Sequence, residues 1–277
     1  MSKISFEIFP PKHGDALKNI DSTLEILTDL KPEFISITFG AGGSVKDNKT
    51  IELAKRIKNE FKIQPVVHLT CLNYSRLEIE TILLELEDAG INKILALRGD
   101  KNPNYPVKND FHYAKDLISY IKLRNTNFSV FGACYPETHL EAKDKIVDLH
   151  NLRDKVNSGV DLLISQLFFD NNVFFDFLNS LKIMDISTPV EAGIMPVTNK
   201  AQIERMVNMC GASLPLKYRK ILEKYEDNKE ALFDAGMAYA TNQIIDLLTS
   251  GVDGIHLYTM NNPAVAKRIC NNIKNFI

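Results

Sequence analysis

The sequence predicts a (β/α)8 TIM barrel carrying an extra helical segment between its seventh and eighth strands. Three observations predict it. Short apolar or alternating runs bounded by Pro, Gly, Asn or Asp recur from end to end. Stretches of helical period fill the gaps between them. The 277 residues suit one large α/β domain, read here as a single barrel over 1–277.

The first strand is expected over 4–9. Ile4, Phe6 and Ile8 share one face, and Ser5, Glu7 and Phe9 the other, until Pro10 and Pro11 stop the run. Ala16, Leu17, Ile20, Leu24, Leu27 and Leu30 then form a helical apolar stripe ended by Pro32. Strands follow over 34–39 and 66–71. Ser75-Arg76-Leu77-Glu78 is a capping-box pattern that opens the next helix, and Gly90 closes it. Further strands are expected over 93–97, 129–133, 162–168 and 189–193. About sixty residues then precede the eighth strand, 254–257, and hold helices over 214–225 and 229–250. Asn262-Pro263 reads as an N-cap with proline at the first helical position. The rival architecture, a doubly wound sheet, wants GxGxxG after an early strand; Gly40-Ala41-Gly42-Gly43-Ser44-Val45 has Val45 in place of the third glycine.

Hydrophobic residues make up 45 % and charged residues 25 % of the chain, with net charge −2. That balance excludes nucleic acid or an anionic membrane as the main partner. No apolar run approaches the ~20 residues of a membrane span, and the first residues lead straight into a strand, so a cytoplasmic protein is expected. Cys71, Cys134, Cys210 and Cys270 lie far apart with no CxxC pair, as for reduced thiols.

Glu is depleted in strands and rarely buried without a partner, so Glu7 needs a reason, and acid–base chemistry is one. It has company. Thr38, His68, Thr70, Arg98, Asp100, Tyr135, Glu137, His139, Gln166 and Tyr258 all fall at the C-terminal ends of predicted strands. Barrel enzymes assemble their catalytic groups at that end. Singly, each has a structural reading: a core histidine, a surface Arg98–Asp100 pair, a glutamine bonding to backbone. Together they favour one mouth with two carboxylates, Glu7 and Asp100, and an anion-holding corner at Arg98 and Gly99. The histidines have no recognised metal spacing.

These strand ends resemble the methylenetetrahydrofolate reductase family. The resemblance rests on Phe6-Glu7-Ile8-Phe9-Pro10-Pro11, Ser36-Ile37-Thr38-Phe39-Gly40-Ala41, His68-Leu69-Thr70-Cys71 and Ala96-Leu97-Arg98-Gly99-Asp100. It continues through Ala133-Cys134-Tyr135-Pro136-Glu137-Thr138-His139, Gln166-Leu167-Phe168-Phe169-Asp170, Gly193-Ile194-Met195-Pro196-Val197 and Leu257-Tyr258-Thr259-Met260-Asn261. The eight pieces run in family order along nearly the whole chain. The length looks like the bacterial form, with one catalytic barrel.

The resemblance implies an enzyme that holds FAD non-covalently at the strand C-termini. NADH or NADPH reduces the flavin and leaves; methylenetetrahydrofolate then takes the hydride at the same face, a ping-pong scheme giving 5-methyltetrahydrofolate. It implies that Glu7 is the general acid that opens the folate ring, and that Asp100 tunes the flavin and bonds the folate. It implies flavin contacts from Thr38, Phe39, Ala41, His68, Arg98, Gly99, Asp100, Tyr113, Ala133, Tyr135, His139, Asp148, Asn151 and Lys155. Gln166, Tyr258, Lys200 and Asn262 then face the substrate, with no metal, and the chain forms a homo-oligomer. Three positions depart from the family pattern. Asp154 precedes Lys155 where the family often has a second basic residue. Lys200 stands where an aromatic commonly stacks on substrate. Asn262 stands where a basic residue follows the eighth strand. Two other readings stay open: a metal-dependent barrel lyase or hydrolase using His68, His139 and Asp100, and a catalytically impaired folate- or flavin-binding protein.

Overall fold

The computed structural model describes residues 3–11, 15–39, 49–101, 106–124 and 127–277, with backbone alone at 15–19. Eight parallel strands close into a barrel in chain order: β1 (Lys3–Ile8), β2 (Ile35–Ile37), β3 (Pro65–Thr70), β4 (Lys93–Leu97), β5 (Ser129–Cys134), β6 (Leu162–Ser165), β7 (Val190–Ile194) and β8 (Gly254–Tyr258). The helices are α1 (Asp15–Asp29), α2 (Lys49–Asn59), α3 (Arg76–Asp88), α4 (Ala114–Leu123), α5 (Lys145–Asn157), α6 (Asn171–Ile183), α7 (Lys200–Cys210), α8 (Leu216–Tyr225), α9 (Lys229–Thr249) and α10 (Pro263–Ile273). The closed parallel barrel rules out the doubly wound alternative. The glycine-rich segment 40–45 lies outside the described residues.

Strand alternation divides the side chains as expected. Ile4, Phe6 and Ile8 of β1, with their counterparts on the other strands, face outward into the main apolar cluster beneath the helices. Inward positions split into two sectors. Phe34, Val66, Leu95, Phe131 and Ile164 form an apolar plug. Ser5, Ser36, Glu191 and His256, from β1, β2, β7 and β8, are equally buried but polar.

Three elements differ from expectation, the first being β2, which covers only Ile35–Ile37 of the expected 34–39. β6 ends at Ser165 instead of continuing to Phe168. The Ser165 carbonyl accepts from the Tyr258 hydroxyl (2.7 Å) and its Oγ accepts from the Gly193 N–H (2.8 Å), so side-chain bonds replace the ladder. The stretch between β7 and β8 holds three helices, not two, because α7 precedes α8. Asn199 caps α7 by accepting from the Gln202 N–H (3.1 Å), and Gly211 ends it at φ +70° in the left-handed region. Leu167, Phe169, Met195 and Val197, from the β6 and β7 loops, join Ile203, Tyr218, Leu222 and Leu232 in an apolar cluster of their own. Among the described residues no helix is long and apolar enough to cross a membrane.

Candidate active site

The alternation of β1 sends Glu7 to the C-terminal mouth. Beyond it the strand is stopped by prolines, which lack a ladder donor. The turn after β8 clamps this end. Met260 and Asn261 adopt left-handed φ values of 53° and 55°. That turn sets the Asn261 side chain against the backbone of Phe9, accepting from its N–H (2.8 Å) and donating to its carbonyl (2.9 Å). The Thr259 hydroxyl donates to the Glu7 carbonyl (2.7 Å). The Glu7 backbone is therefore held from two sides of the β8 turn.

The Glu7 side chain is only 13 % exposed. Its Oε2 lies 3.6 Å from His68 Nε2 and 3.9 Å from His256 Nε2. Burial lowers the pKa of His68 from its ordinary 6.5 to about 4, so its imidazole is neutral near pH 7. Among the described residues, His68 Nε2 and Thr38 Oγ1 are buried without a hydrogen-bond partner. Two orphaned polar atoms beside a carboxylic acid mark a place built to meet a polar molecule.

A cavity of about 670 Å³ opens over Glu7. Thr38, Phe39, His68, Gly99, Asp100, Gln166 and Tyr258 line it, as the sequence predicts. Burial pushes the Tyr258 phenol pKa well above its ordinary value, and its O–H is committed to Ser165. Gly193 leaves room for that ring: a Cβ there would sit 2.8 Å from Tyr258 Cε2. Gln166 Oε1 accepts from the Leu167 N–H (2.9 Å), leaving its amide N–H groups for a ligand. Met195, Met206, Met209 and Met260 also line the cavity, a thioether wall that the sequence reading missed.

A second hollow of about 490 Å³ adjoins the first, sharing Arg98, Ala133, Tyr135 and His139 with it. Tyr113, Asp148, Asn151 and Lys155 line its outer part. The Tyr135 and His139 rings pack edge to face at 4.6 Å. Asp148 accepts from the His139 N–H (2.9 Å) and so fixes that loop. Lys155 donates to the Ala133 carbonyl (2.8 Å), and burial lowers its pKa. Arg98 pairs through both Nη atoms with Glu141 (2.6 and 2.8 Å), not with Asp100. That pairing holds the Glu141 carboxyl at about 2, well below its ordinary value.

Three predicted positions stand apart. Ala41 lies outside the described residues. Lys200 pairs with Glu226, and the Asn262 side-chain Oδ1 caps α10 by accepting from the Ala264 N–H (3.2 Å); neither residue lines the two cavities. Asp154, the remaining departure, pairs with Lys115 at 3.2 Å. No three His, Cys, Asp or Glu side chains among the described residues converge as a metal-binding set.

Below Glu7 the sequence reading missed a buried polar line. The Ser5 hydroxyl lies 2.5 Å from Glu191 Oε2 and 2.7 Å from His256 Nδ1, and His256 Nε2 lies 3.4 Å from Ser36 Oγ. Glu191 is 2 % exposed and His256 fully buried. The signal was there to find: a carboxylate inside an apolar strand, as with Glu7.

With this geometry in hand, the similarities are specific. The family model for methylenetetrahydrofolate reductase matches residues 1–274. The Arabidopsis thaliana methylenetetrahydrofolate reductase (NADH) 1 is 35 % identical over 97 % of this chain and 48 % of its own length. The chain thus spans about half the length of its plant relatives. The Escherichia coli 5,10-methylenetetrahydrofolate reductase is 32 % identical over 98 % of this chain and 90 % of its own. Among solved structures, a Clostridium thermocellum protein that binds two copies of 5-methyl-5,6,7,8-tetrahydrofolic acid superposes with TM-score 0.66 at 15 % identity, covering 99 % of this chain and 96 % of that one. A Xanthomonas albilineans dihydropteroate synthase has TM-score 0.52 at 12 % identity, covering 99 % and 92 %. At those identities they speak for the barrel, whereas the family match and the E. coli relative speak for lineage: the chain belongs to the methylenetetrahydrofolate reductase family.

Proposed function

We propose that this chain reduces 5,10-methylenetetrahydrofolate to 5-methyltetrahydrofolate, with NADH or NADPH as reductant and FAD as carrier, in a ping-pong scheme. The observation that carries the reading is Glu7, a nearly buried carboxyl group at the floor of a cavity that Thr38, His68, Asp100, Gln166 and Tyr258 also line. The C. thermocellum barrel's methyltetrahydrofolate supports a folate at this kind of mouth, and the plant relatives' names support NADH.

The residues fit a flavin. Lys155 and Arg98 line the same hollow, two basic side chains of the kind that hold phosphate groups. The Tyr135–His139 pair offers ring surface for a planar system. When bound, flavin supplies the capacity to take a hydride from nicotinamide and give it to folate. The protein's own residues handle the proton. Glu7 gives it to the folate nitrogen, the five-membered ring opens to an iminium, and hydride delivery completes the methyl group. Burial keeps His68 neutral, so no fixed positive charge stands beside the Glu7 carboxyl. Asp100 and Gln166 orient the pterin by hydrogen bonds. The methionine wall supplies apolar surface for a flat ring where Lys200 replaces the family's aromatic.

The test separates the two half-reactions. Purified protein is expected to be yellow, and Glu7→Gln to leave flavin reduction by NADH intact while slowing folate reduction about 100- to 10,000-fold. Equal loss in both half-reactions, or a colourless protein carrying stoichiometric zinc, would overturn the reading.

A further inference from the structure

The general acid has a supply problem. Each turnover takes one proton from Glu7, and the site must restore it before the next. Beneath Glu7, away from the mouth, lies the buried line Glu191, Ser5, His256. Its atoms are close enough to pass a proton: 2.5 Å from Glu191 Oε2 to Ser5 Oγ, and 2.7 Å from Ser5 Oγ to His256 Nδ1. The imidazole's other nitrogen, Nε2, lies 3.4 Å from Ser36 Oγ and 3.9 Å from Glu7 Oε2, the latter a gap that a side-chain adjustment of about 1 Å brings within hydrogen-bond reach.

We propose that Ser5 and His256 form a proton relay between Glu191 and Glu7, with Glu191 as the buried reserve that reloads the acid. The line has two self-consistent hydrogen-bond patterns. In one, protonated Glu191 donates to Ser5, Ser5 donates to Nδ1, and Nε2–H faces ionised Glu7. In the other, Nδ1–H donates to Ser5, Ser5 donates to ionised Glu191, and protonated Glu7 faces the Nε2 lone pair. Conversion of the first into the second breaks the Glu191 O–H, Ser5 O–H and His256 Nε2–H bonds. It forms new ones at Ser5 Oγ, Nδ1 and Glu7 Oε2. One proton leaves Glu191, one arrives at Glu7, and total charge is unchanged. Neutral histidine with two distinct nitrogens is suited to this shuttle.

Three further observations fit. The line is buried throughout, so water does not short-circuit it. Burial raises the Glu191 pKa, which favours a stored proton. Gly254 clears space for Glu191, since a Cβ there would lie 3.0 Å from Glu191 Cγ. The charged and titratable groups facing the line are His68 from β3, Tyr258 from β8 and Cys210 at the end of α7, toward Glu7. Toward Glu191 they are Lys3 and Glu33, an exposed pair at the N-terminal rim.

The kinetic role rests on the reductase reading, so one arm of the test is independent of it. Infrared difference spectra of the purified protein across a pH titration need neither folate nor turnover. The wild type is expected to have a protonated-carboxyl band that Glu191→Gln removes, Ser5→Ala shifts, and Ser5→Thr, which keeps the hydroxyl, restores. A band indifferent to all three variants overturns the relay whatever the enzyme does. In the kinetic arm, flavin reduction by NADH is expected to be unchanged in each variant. Folate reduction is expected to fall about tenfold in Ser5→Ala and Glu191→Gln and to recover in Ser5→Thr. Wild-type folate rates in both defective variants, with circular dichroism unchanged, overturn the relay and leave the reductase reading standing. A wild type that reduces no folate overturns that reading, while the infrared arm still decides the relay.

Discussion

Arg98 is claimed twice. The proposed function asks it to hold a flavin phosphate, yet both of its Nη atoms engage Glu141. A phosphate must compete with that carboxylate. Because Glu141 is 52 % exposed, the pair is worth little, roughly 0.2–1 kcal/mol. Glu141→Gln is therefore expected to tighten flavin binding about 2- to 5-fold, read by fluorescence titration of the apoprotein; weaker binding would mean that Glu141 orders the site instead of competing for it. Residues of this kind mark what could be read from the chain and what could not. Glu7 was legible because a carboxylate stood alone between apolar neighbours and two prolines. Glu191 carries the same anomaly, but its partners, Ser5 and His256, come from strands at the far ends of the sequence. Spacing cannot reveal a contact across 186 residues, such as Ser5 to Glu191. Glu141 escaped for the opposite reason, since a surface glutamate on a loop carries no signal until its partner is known.

At the level of elements, α3 begins as its sequence dictates. Ser75 Oγ accepts from the Glu78 N–H (3.3 Å), and Glu78 Oε2 accepts from the Ser75 N–H (2.6 Å) and pairs with Lys108 at 2.9 Å. Ser75→Ala removes one half of the box and is expected to cost about 1 kcal/mol, lowering the melting temperature by about 2–4 °C in a thermal scan. An unchanged midpoint would show that the Lys108 pair holds the turn alone. Caps and strand alternation were legible because they are local. α7 was not. Ile203 is its one fully buried side chain, while Met206, Val207 and Cys210 are half-covered against the loop cluster. A helix whose apolar face lines a cavity presents a weaker stripe than one pressed on a sheet. β6 ended early for a related reason, because its last groups are satisfied by Tyr258 and Gly193, from other strands.

Across the whole molecule, two buried groups oppose each other in pH. His68 falls from 6.5 to about 4 on folding, so between those values the unfolded chain binds more protons, and stability drops as pH falls through that window. Glu191 rises above 4.5, so the native state binds more protons there, and stability drops as pH climbs from 4.5 toward the folded value. Melting temperatures measured from about pH 4 to 8 are expected to lose their acid-side decline in His68→Asn. The decline on the alkaline side is expected to shrink in Glu191→Gln. Curves parallel to wild type would remove both groups from the account. The barrel closure was legible from eight strands alternating with helices, whereas the polar sector inside it emerged only once the strands were brought together. The loop cluster around Tyr218, whose ring stacks on Tyr239 at 3.9 Å, has a longer reach than its size implies. A region with its own apolar centre can open as a cooperative unit at a smaller free energy than unzipping the sheet. Under the proposed ping-pong scheme two ligands take turns on one floor, and that needs a doorway that yields while the floor holds still. Here the doorway jamb and the floor are stabilised by separate sets of side chains, so the traffic rate can evolve without disturbing the chemistry.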